Sequence, residues 1–550
     1  MATLRVAADA TSANLFTFSA VASLTTCLYL HRFDVRGDVF LAYLLIVFAS
    51  TASLLSHAGL GTFETLIQTA QAMGLYIGCM TAITVLYRIS PFHPLAAFPG
   101  PLINKVTALK LAHIVWSGKR YLIIKDLHER YGSFVRTGPT TLSISSPNAI
   151  MPVYASPHSM DKSEAYRPGR FHPGGLFFIR ERDDHNKRRR IWAPAFSAPA
   201  VEHMLSVVNK RTLQMLQCIE RRRTKEGLLD MTEVIRHWAY DLMADITFGK
   251  ASRIELMEDG DPHGVVASVQ NATVLFETLG EIPPLFDVMW YLPVTKDVHV
   301  LDRISKNIMA ERKNAPGQED ISAHLLGELG GERLSDEELD LDATFSIVAG
   351  SDTTAGSLTL LMFYLLRDQE TYARLRAELD QHFSSPEEAN DWKKLVELPY
   401  LFGVVHEGLR LGTPFPGLPR VVAKGGVVID GKYVPEKTIV GVPPYVQQTS
   451  PENFYPNPME FRPERWSPDG LGPSTVTKKN AIMCFSSGPF SCLGKTFAIR
   501  EIHLVVAKLV LAFDMRLAPG FDEQAWMDGC LNMRTTLFKH PLMITATPRH

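Results

Sequence analysis

Cysteine is scarce and scattered in this chain: six among 550 residues, at positions 27, 79, 218, 484, 492 and 530. None stand at CxxC spacing, so neither a disulfide framework nor a paired-cysteine metal site is on offer. That suits a catalytic part facing a reducing cytosol. An excess of one charge is also missing. Lys and Arg total 56 against 58 Asp and Glu, a formal net charge of −2, which lacks the electrostatic footprint of a nucleic-acid binder. There is no internal repeat, and no charge run or low-complexity stretch is long enough to link domains. Length alone would suggest several domains. The absence of a linker favours one large catalytic unit behind a membrane segment.

Long apolar runs are present, and they crowd the first 90 residues, over 15–30, 39–55 and 66–86. Spanning a bilayer takes about 20 helical residues, and the third run is the best candidate. The loop after the first run carries Arg32 and Arg36, the loop after the second carries no Lys or Arg, and Arg88, Lys105 and Lys110 follow the third. With three spans, the positive-inside bias places the first loop and the main body on the cytosolic side. Two spans would put the N-terminus on the side of the body. Two further apolar runs after the first argue against a cleaved signal peptide. Residues 1–90 are therefore expected to be a membrane anchor with up to three transmembrane helices. Residues 91–101, with prolines at 91, 94, 99 and 101, form a stiff hinge, and 102–550 the catalytic domain.

The body reads as mainly α with small β-sheets. A helix is expected over 119–131 and two short strands about Gly138-Pro139. Helical periodicity dominates from Val201, broken by loops at 260–264 and 315–319. Asp430-Gly431 between apolar runs signals a hairpin, and short strands return near 533–538 and 542–547.

Three patterns carry chemistry. The first is Phe485-Ser-Ser-Gly488-Pro-Phe-Ser-Cys492-Leu-Gly494-Lys495. The two glycines allow a tight loop, and a helix starting near Thr496 puts Cys492 by an N-terminal dipole that favours a thiolate. Such a sulfur suits an axial ligand of haem iron; a buried free cysteine after a Gly-Pro turn is the plainer reading. The second is Ala349-Gly350-Ser351-Asp352-Thr353-Thr354, in the middle of an apolar run over 339–366 that Ser335 and Glu338 open as a capping box. Gly350 weakens a helix and hydroxyls can open its ladder, so a local opening is expected there. The plainer alternative is a helix break with Asp352 as a cap. The third pairs Glu407-Gly-Leu-Arg410 with Phe461-Arg-Pro-Glu-Arg465-Trp466. Glu407 and Arg410 share a helix face, as a surface ion pair also would.

These stretches resemble the cytochrome P-450 family, whose haem loop reads Phe-x-x-Gly-x-(Arg or His)-x-Cys-x-Gly. Phe485, Gly488, Cys492 and Gly494 match, while Phe490 fills the slot that is usually basic. The resemblance runs from Pro91 to the C-terminus and implies the cytochrome P-450 fold, haem b with Cys492 as the thiolate ligand, and monooxygenase activity. It implies that Thr353 hydrogen-bonds the activated oxygen and Asp352 gates protons, since an alcohol backed by an acid meets the need for two protons. Glu407, Arg410 and Arg465 would form a buried ionic triad. Arg420, His185 and Arg189 would hold the haem propionates and compensate for Phe490. Lys187, Arg188 and Lys495 are expected on the outside, facing an acidic reductase. Phe171, Phe177, Phe345, Phe415 and Leu418 would line an apolar substrate pocket.

The multi-span leader and Phe490 resemble fungal members acting on terpenoids, other secondary metabolites or xenobiotics. The partners implied are an NADPH-cytochrome P-450 reductase, with cytochrome b5 as a further donor, at the endoplasmic reticulum membrane and with the catalytic domain in the cytosol. Two rivals stand beside this reading: a haem-thiolate isomerase or dehydratase that needs no external electrons, and a haem-free membrane receptor or carrier.

Overall fold

Apolar composition without Gly-Pro breaks lets the leader form three helices: α1 (Ala2–Arg32), α2 (Gly37–His57) and α3 (Thr62–Ile89). The computed structural model describes residues 2–156, 160–167 and 175–549, with the side chains of 2–15 and 343–344 left aside. Among the described residues, α2 and α3 are long and apolar enough to cross a membrane, with mean hydropathies of 2.1 and 1.4. Large apolar side chains such as Leu45, Ile46 and Leu54 point outward, which suits a lipid surrounding. The helix α1 lies along α3, where the Tyr76 hydroxyl donates to Thr26 Oγ1 and Ser23 Oγ donates to the Tyr76 carbonyl, both at 2.7 Å.

The leader is seated on the body. The amide of Gly37 donates to Asp287 Oδ2 at 3.0 Å, and a Cβ at position 37 would stand 1.7 Å from the Pro284 carbonyl oxygen. Arg167 reaches the same Asp287 oxygen at 2.7 Å, and the Tyr291 hydroxyl donates to Asp38. The proline-rich stretch is tied down as well, because the Arg136 amide donates to the Pro99 carbonyl at 2.7 Å.

A five-stranded sheet contains β1 (Phe134–Arg136), β2 (Thr141–Ile144), β3 (Asp161–Lys162), β4 (Arg420–Val421) and β5 (Ile439–Gly441), in the order β1-β2-β5-β4-β3. Its far edge matters most: β3 and β4 run antiparallel with Lys162 opposite Arg420. The Asp430-Gly431 turn forms as its sequence predicts, both residues at positive φ (47° and 76°), joining Val427–Ile429 to Lys432–Val434. Near the C-terminus, Cys530–Asn532 pairs with Thr536–Phe538.

The helical body is built on α4 (Arg182–Trp192), α5 (Ala198–Arg222), α6 (Met231–Phe248), α7 (Val265–Gly280), α8 (Asp336–Arg367), α9 (Pro399–Leu411) and α10 (Lys495–Ala512). The capping box at the start of α8 is present, with the Ser335 amide donating to Glu338 and the Glu338 amide to Ser335 Oγ. The nearly wholly buried α6 packs along α8. Trp238, Leu358, Met362 and Val505 are fully buried in the core around this pair; burying each such side chain contributes roughly 1.5–3 kcal/mol.

The expected opening at the middle of α8 does not occur, since the helix runs without interruption from 336 to 367. Gly350 serves close packing instead. A Cβ there would meet the Met243 side chain, with Sδ at 2.4 Å, so the missing methyl admits α6 and leaves the ladder intact.

Candidate functional site

The cysteine loop closes on itself by backbone geometry. Gly488 sits at φ 70°, and a Cβ on it would lie 1.9 Å from the Tyr154 carbonyl oxygen, so no other residue fits without displacement. The Ser491 amide donates to the Gly488 carbonyl at 3.0 Å and the Cys492 amide to the Phe485 carbonyl at 2.9 Å. Gly494 precedes the first turn of α10. Burial pushes the Cys492 thiol up, opposed by the Gly494 amide, the charges of Arg189 and Lys495, and the Lys495 amide. The side chain is nonetheless exposed. The sulfur is thus desolvated by the protein around it yet reachable from outside.

Within that loop, Phe490 is encircled by basic groups. The His185 ring centroid lies 4.5 Å away, Lys162 Nζ 4.8 Å and Arg420 Cζ 4.9 Å. Arg189 Nη1 donates to the Ser491 carbonyl at 2.6 Å. Lys162 Nζ donates to the Phe177 carbonyl at 2.7 Å. Desolvation, followed by the charges of Arg420, Arg534 and Arg189, pulls Lys162 well below its usual range. Desolvation and Lys162 pull His185 down to about 3. Among the described residues, Arg420 Nε and His185 Nδ1 are buried without a partner. Among the described residues, no carboxylate pairs with Lys162, Arg189 or Arg420. Buried cations without counter-charges are costly, and the arrangement fits a prosthetic group that brings its own carboxylates. His185 and Arg189 do face one way along α4. Arg188 does not face outward: it is buried and binds Asp342 at 2.8 Å and also Glu338, because two acids of α8 pull it inward. Lys187 is exposed, with Asp184 at 2.8 Å, and Lys495 is exposed too.

On α8, Asp352 and Thr353 have separate partners. The Tyr240 hydroxyl of α6 donates to Asp352 Oδ1 at 2.9 Å, and among the described residues Asp352 Oδ2 has no partner. Desolvation raises this carboxyl to about 6, held back by the Tyr240 hydrogen bond and the Arg236 charge. Thr353 Oγ1 donates back to the Ala349 carbonyl at 2.5 Å.

Glu407, Arg410 and Arg465 come together with fully buried side chains. Arg410 donates to both Glu407 oxygens, at 2.6 and 2.8 Å, and Arg465 Nε to Oε1 at 3.3 Å. Trp466 Nε1 adds a bond to Oε2 at 3.0 Å, and the Arg462 amide one to Oε1 at 3.1 Å. A surface ion pair is thereby ruled out.

A family model described as Cytochrome P450 matches residues 97–540. The chain belongs to the cytochrome P450 family. It is 31% identical over 482 residues to the tryprostatin B 6-hydroxylase of Neosartorya fischeri, covering 86% of each chain. It is 32% identical to the cytochrome P450 monooxygenase orf5 of Eupenicillium brefeldianum, over 86% of this chain and 95% of the relative. With notG' of Aspergillus versicolor it shares 30%, over 88% and 89%. This cytochrome P450 is an oxygenase, and the reading as a haem-free receptor or carrier falls. The family implies a haem with a cysteine thiolate ligand.

Within the cytochrome P450 body, Phe177 stacks on Phe345 with centroids 5.0 Å apart, and Phe415 lies 6.4 Å away. Leu418 is buried nearby in the cluster that Phe177 and Phe415 pack against. Phe171 lies outside the described residues. Phe178, next to Phe177, has a ring that contacts both Phe345 and Phe276. Sequence reasoning missed Lys162 and Tyr240. No motif marks either one; only the pairing of β3 with β4 and of α6 with α8 brings them to the site.

Proposed function

We propose that this cytochrome P450 is a reductase-driven monooxygenase of secondary metabolism that inserts one atom of O2 into a C–H bond or double bond of an apolar, ring-bearing substrate. The observation that carries the proposal is the loop at Cys492 beside the buried Lys162 and Arg420 and the half-buried Arg189, none of which has a carboxylate partner among the described residues. The thiolate of Cys492 would hold the iron of haem b, with Phe485, Gly488 and Gly494 shaping the loop. Arg189, His185, Arg420 and also Lys162 would take the propionates in place of the basic residue that Phe490 replaces. When bound, the haem supplies O2 activation, assisted by electron density from its thiolate.

The remaining work belongs to side chains. Asp352 holds a proton at its carboxyl and gives it up near neutral pH, where a pKa of about 6 suits transfer. Thr353 can turn its hydroxyl from the Ala349 carbonyl toward the reacting oxygen. Phe177, Phe178, Phe345 and Phe415 hold the substrate by apolar contact and exclude water. Glu407, Arg410 and Arg465 hold the haem core together and take no part in the chemistry. The relatives' activities, a tryprostatin B hydroxylase among them, support a secondary metabolite as substrate. Electrons come from NADPH through a cytochrome P450 reductase, with cytochrome b5 as a further donor. The leader holds the enzyme on the endoplasmic reticulum, body in the cytosol, with 1–90 as anchor, 91–101 as a fastened hinge and 102–550 as the catalytic domain.

Reconstitution with reductase against a panel of aromatic and terpenoid metabolites tests this, with products read by mass. A gain of one oxygen that requires NADPH supports it; turnover without NADPH and reductase would support the isomerase instead. Cys492→Ala should abolish both the thiolate absorption band of the reduced, carbon-monoxide-treated protein and the activity.

A further inference from the structure

Asp342 stands near the start of α8, fully buried, and donors from two other segments converge on its carboxylate. Oδ1 accepts from the Leu176 amide at 2.7 Å, and Oδ2 from Arg188 Nη1 at 2.8 Å and Trp192 Nε1 at 2.9 Å. The approach at Oδ1 needs Gly175, because a Cβ there would lie 2.8 Å from that oxygen. Leu176 belongs to a tight turn in which the Phe178 amide donates to the Gly175 carbonyl at 2.8 Å. Lys162 Nζ grips the same turn through the Phe177 carbonyl, at 2.7 Å. The rings of this turn lie on α8 as well. Phe345, three residues after Asp342 and so on one helix face with it, contacts both Phe177 and Phe178. One carboxylate thereby ties the aromatic wall to α4, whose Arg189 bonds the cysteine loop at the Ser491 carbonyl. A leucine would fill the volume but leave buried N–H donors unmet. A buried polar set whose groups are paired holds its elements in one arrangement.

We propose that Asp342 is a positioning residue for substrate choice, fixing the Gly175–Phe178 turn so that Phe177 and Phe178 set the size and orientation of ring the enzyme accepts. Asp342→Asn keeps the shape but offers one oxygen and one NH2 to donors on both sides, so either the wall or α4 loses its acceptor. The inference rests on the reading of Phe177, Phe178 and Phe345 as substrate contacts.

The test uses the full-length, haem-loaded protein and two ligands of haem iron, imidazole and phenylimidazole, titrated by the shift of the haem absorption band. Both bind through a ring nitrogen, and the second adds a phenyl group that must fit beside the aromatic wall. Asp342→Asn should weaken phenylimidazole about tenfold, the effect of one buried donor left unmet, and leave imidazole unchanged. Gly175→Ala crowds Asp342 Oδ1 and the Leu341 carbonyl and should give the same split. In reconstituted turnover both variants should change the ratio of positional products. Equal weakening of the two azoles, or none, overturns the proposal, since a merely structural loss does not tell them apart. Should Asp342→Asn fail to fold, Gly175→Ala decides by the same comparison. Failure of the functional reading looks different. The wild type would then make no NADPH-dependent product or bind neither azole. Deuterium exchange at the Leu176 amide would still decide whether Asp342 holds the turn: it should quicken in Asp342→Asn, and an unchanged rate overturns the positioning.

Discussion

Lys162 and Arg420 stand directly opposite each other across β3 and β4, both buried, with the Phe490 ring within 5 Å of each cation. Like charges directly opposite in an antiparallel pair oppose folding, and the aromatic face offsets only part of this, about 2 kcal/mol for a desolvated cation. Lys162→Met keeps the bulk and removes one charge. The haem-free protein should then unfold at a higher denaturant concentration, while the holoprotein loses haem faster to a scavenging globin. Unchanged haem loss with no added apoprotein stability would mean that Lys162 matters to packing alone.

That pair also marks where sequence reading stops. Cys492, its glycines, Asp352-Thr353 and the Glu407–Arg410 pair are local patterns, and each is legible because its chemistry lies within a few residues. Lys162 and Tyr240 act through partners 258 and 112 residues away, Arg420 and Asp352, and nothing around either announces it. The misjudged features have the same cause. Gly350 looks like a helix breaker until α6 is seen to need its missing methyl, and Arg188 looks like surface charge until Asp342 faces it.

Glu407 receives five hydrogen-bond donors: two from Arg410 and one each from Arg465, Trp466 and the Arg462 amide. Glu407→Gln would leave two fully buried guanidinium groups without a counter-charge. Removing one member of such a set costs about 3–5 kcal/mol. The variant should show a correspondingly lower urea midpoint and little haem in the folded fraction. Stability within about 1 kcal/mol of the wild type, on the order of a surface pair, would refute the structural role.

The leader should not hang freely from the hinge. The Gly37 amide bonds Asp287, and the backbone of Pro284 occupies the space a side chain would need. Gly37→Val should force α2 away from the helix Pro283–Met289. In detergent, protease should then cut between α1 and α2, or in the Pro91–Pro101 stretch, faster than in the wild type. A pair of cysteines introduced by Asp38→Cys and Tyr291→Cys should cross-link in the parent and stay apart once Gly37→Val is added. Equal cross-linking in both would dismiss the docked arrangement.

Glu501 lies on the helix that follows the cysteine loop, 2% exposed, and burial alone raises its carboxyl from 4.5 to about 8. The folded protein therefore holds this proton at neutral pH while the unfolded chain releases it. Since the folded value is the higher one, the group's contribution is fully present below pH 4.5 and is lost as pH rises toward 8. Each unit within that window costs about 1.4 kcal/mol. Glu501→Gln removes the dependence and mimics the protonated form in shape. The two proteins should melt at similar temperatures near pH 5, and the variant should gain steadily on the wild type up to pH 8. Parallel melting curves across the window would mean that Glu501 finds a counter-charge or water that burial does not reveal.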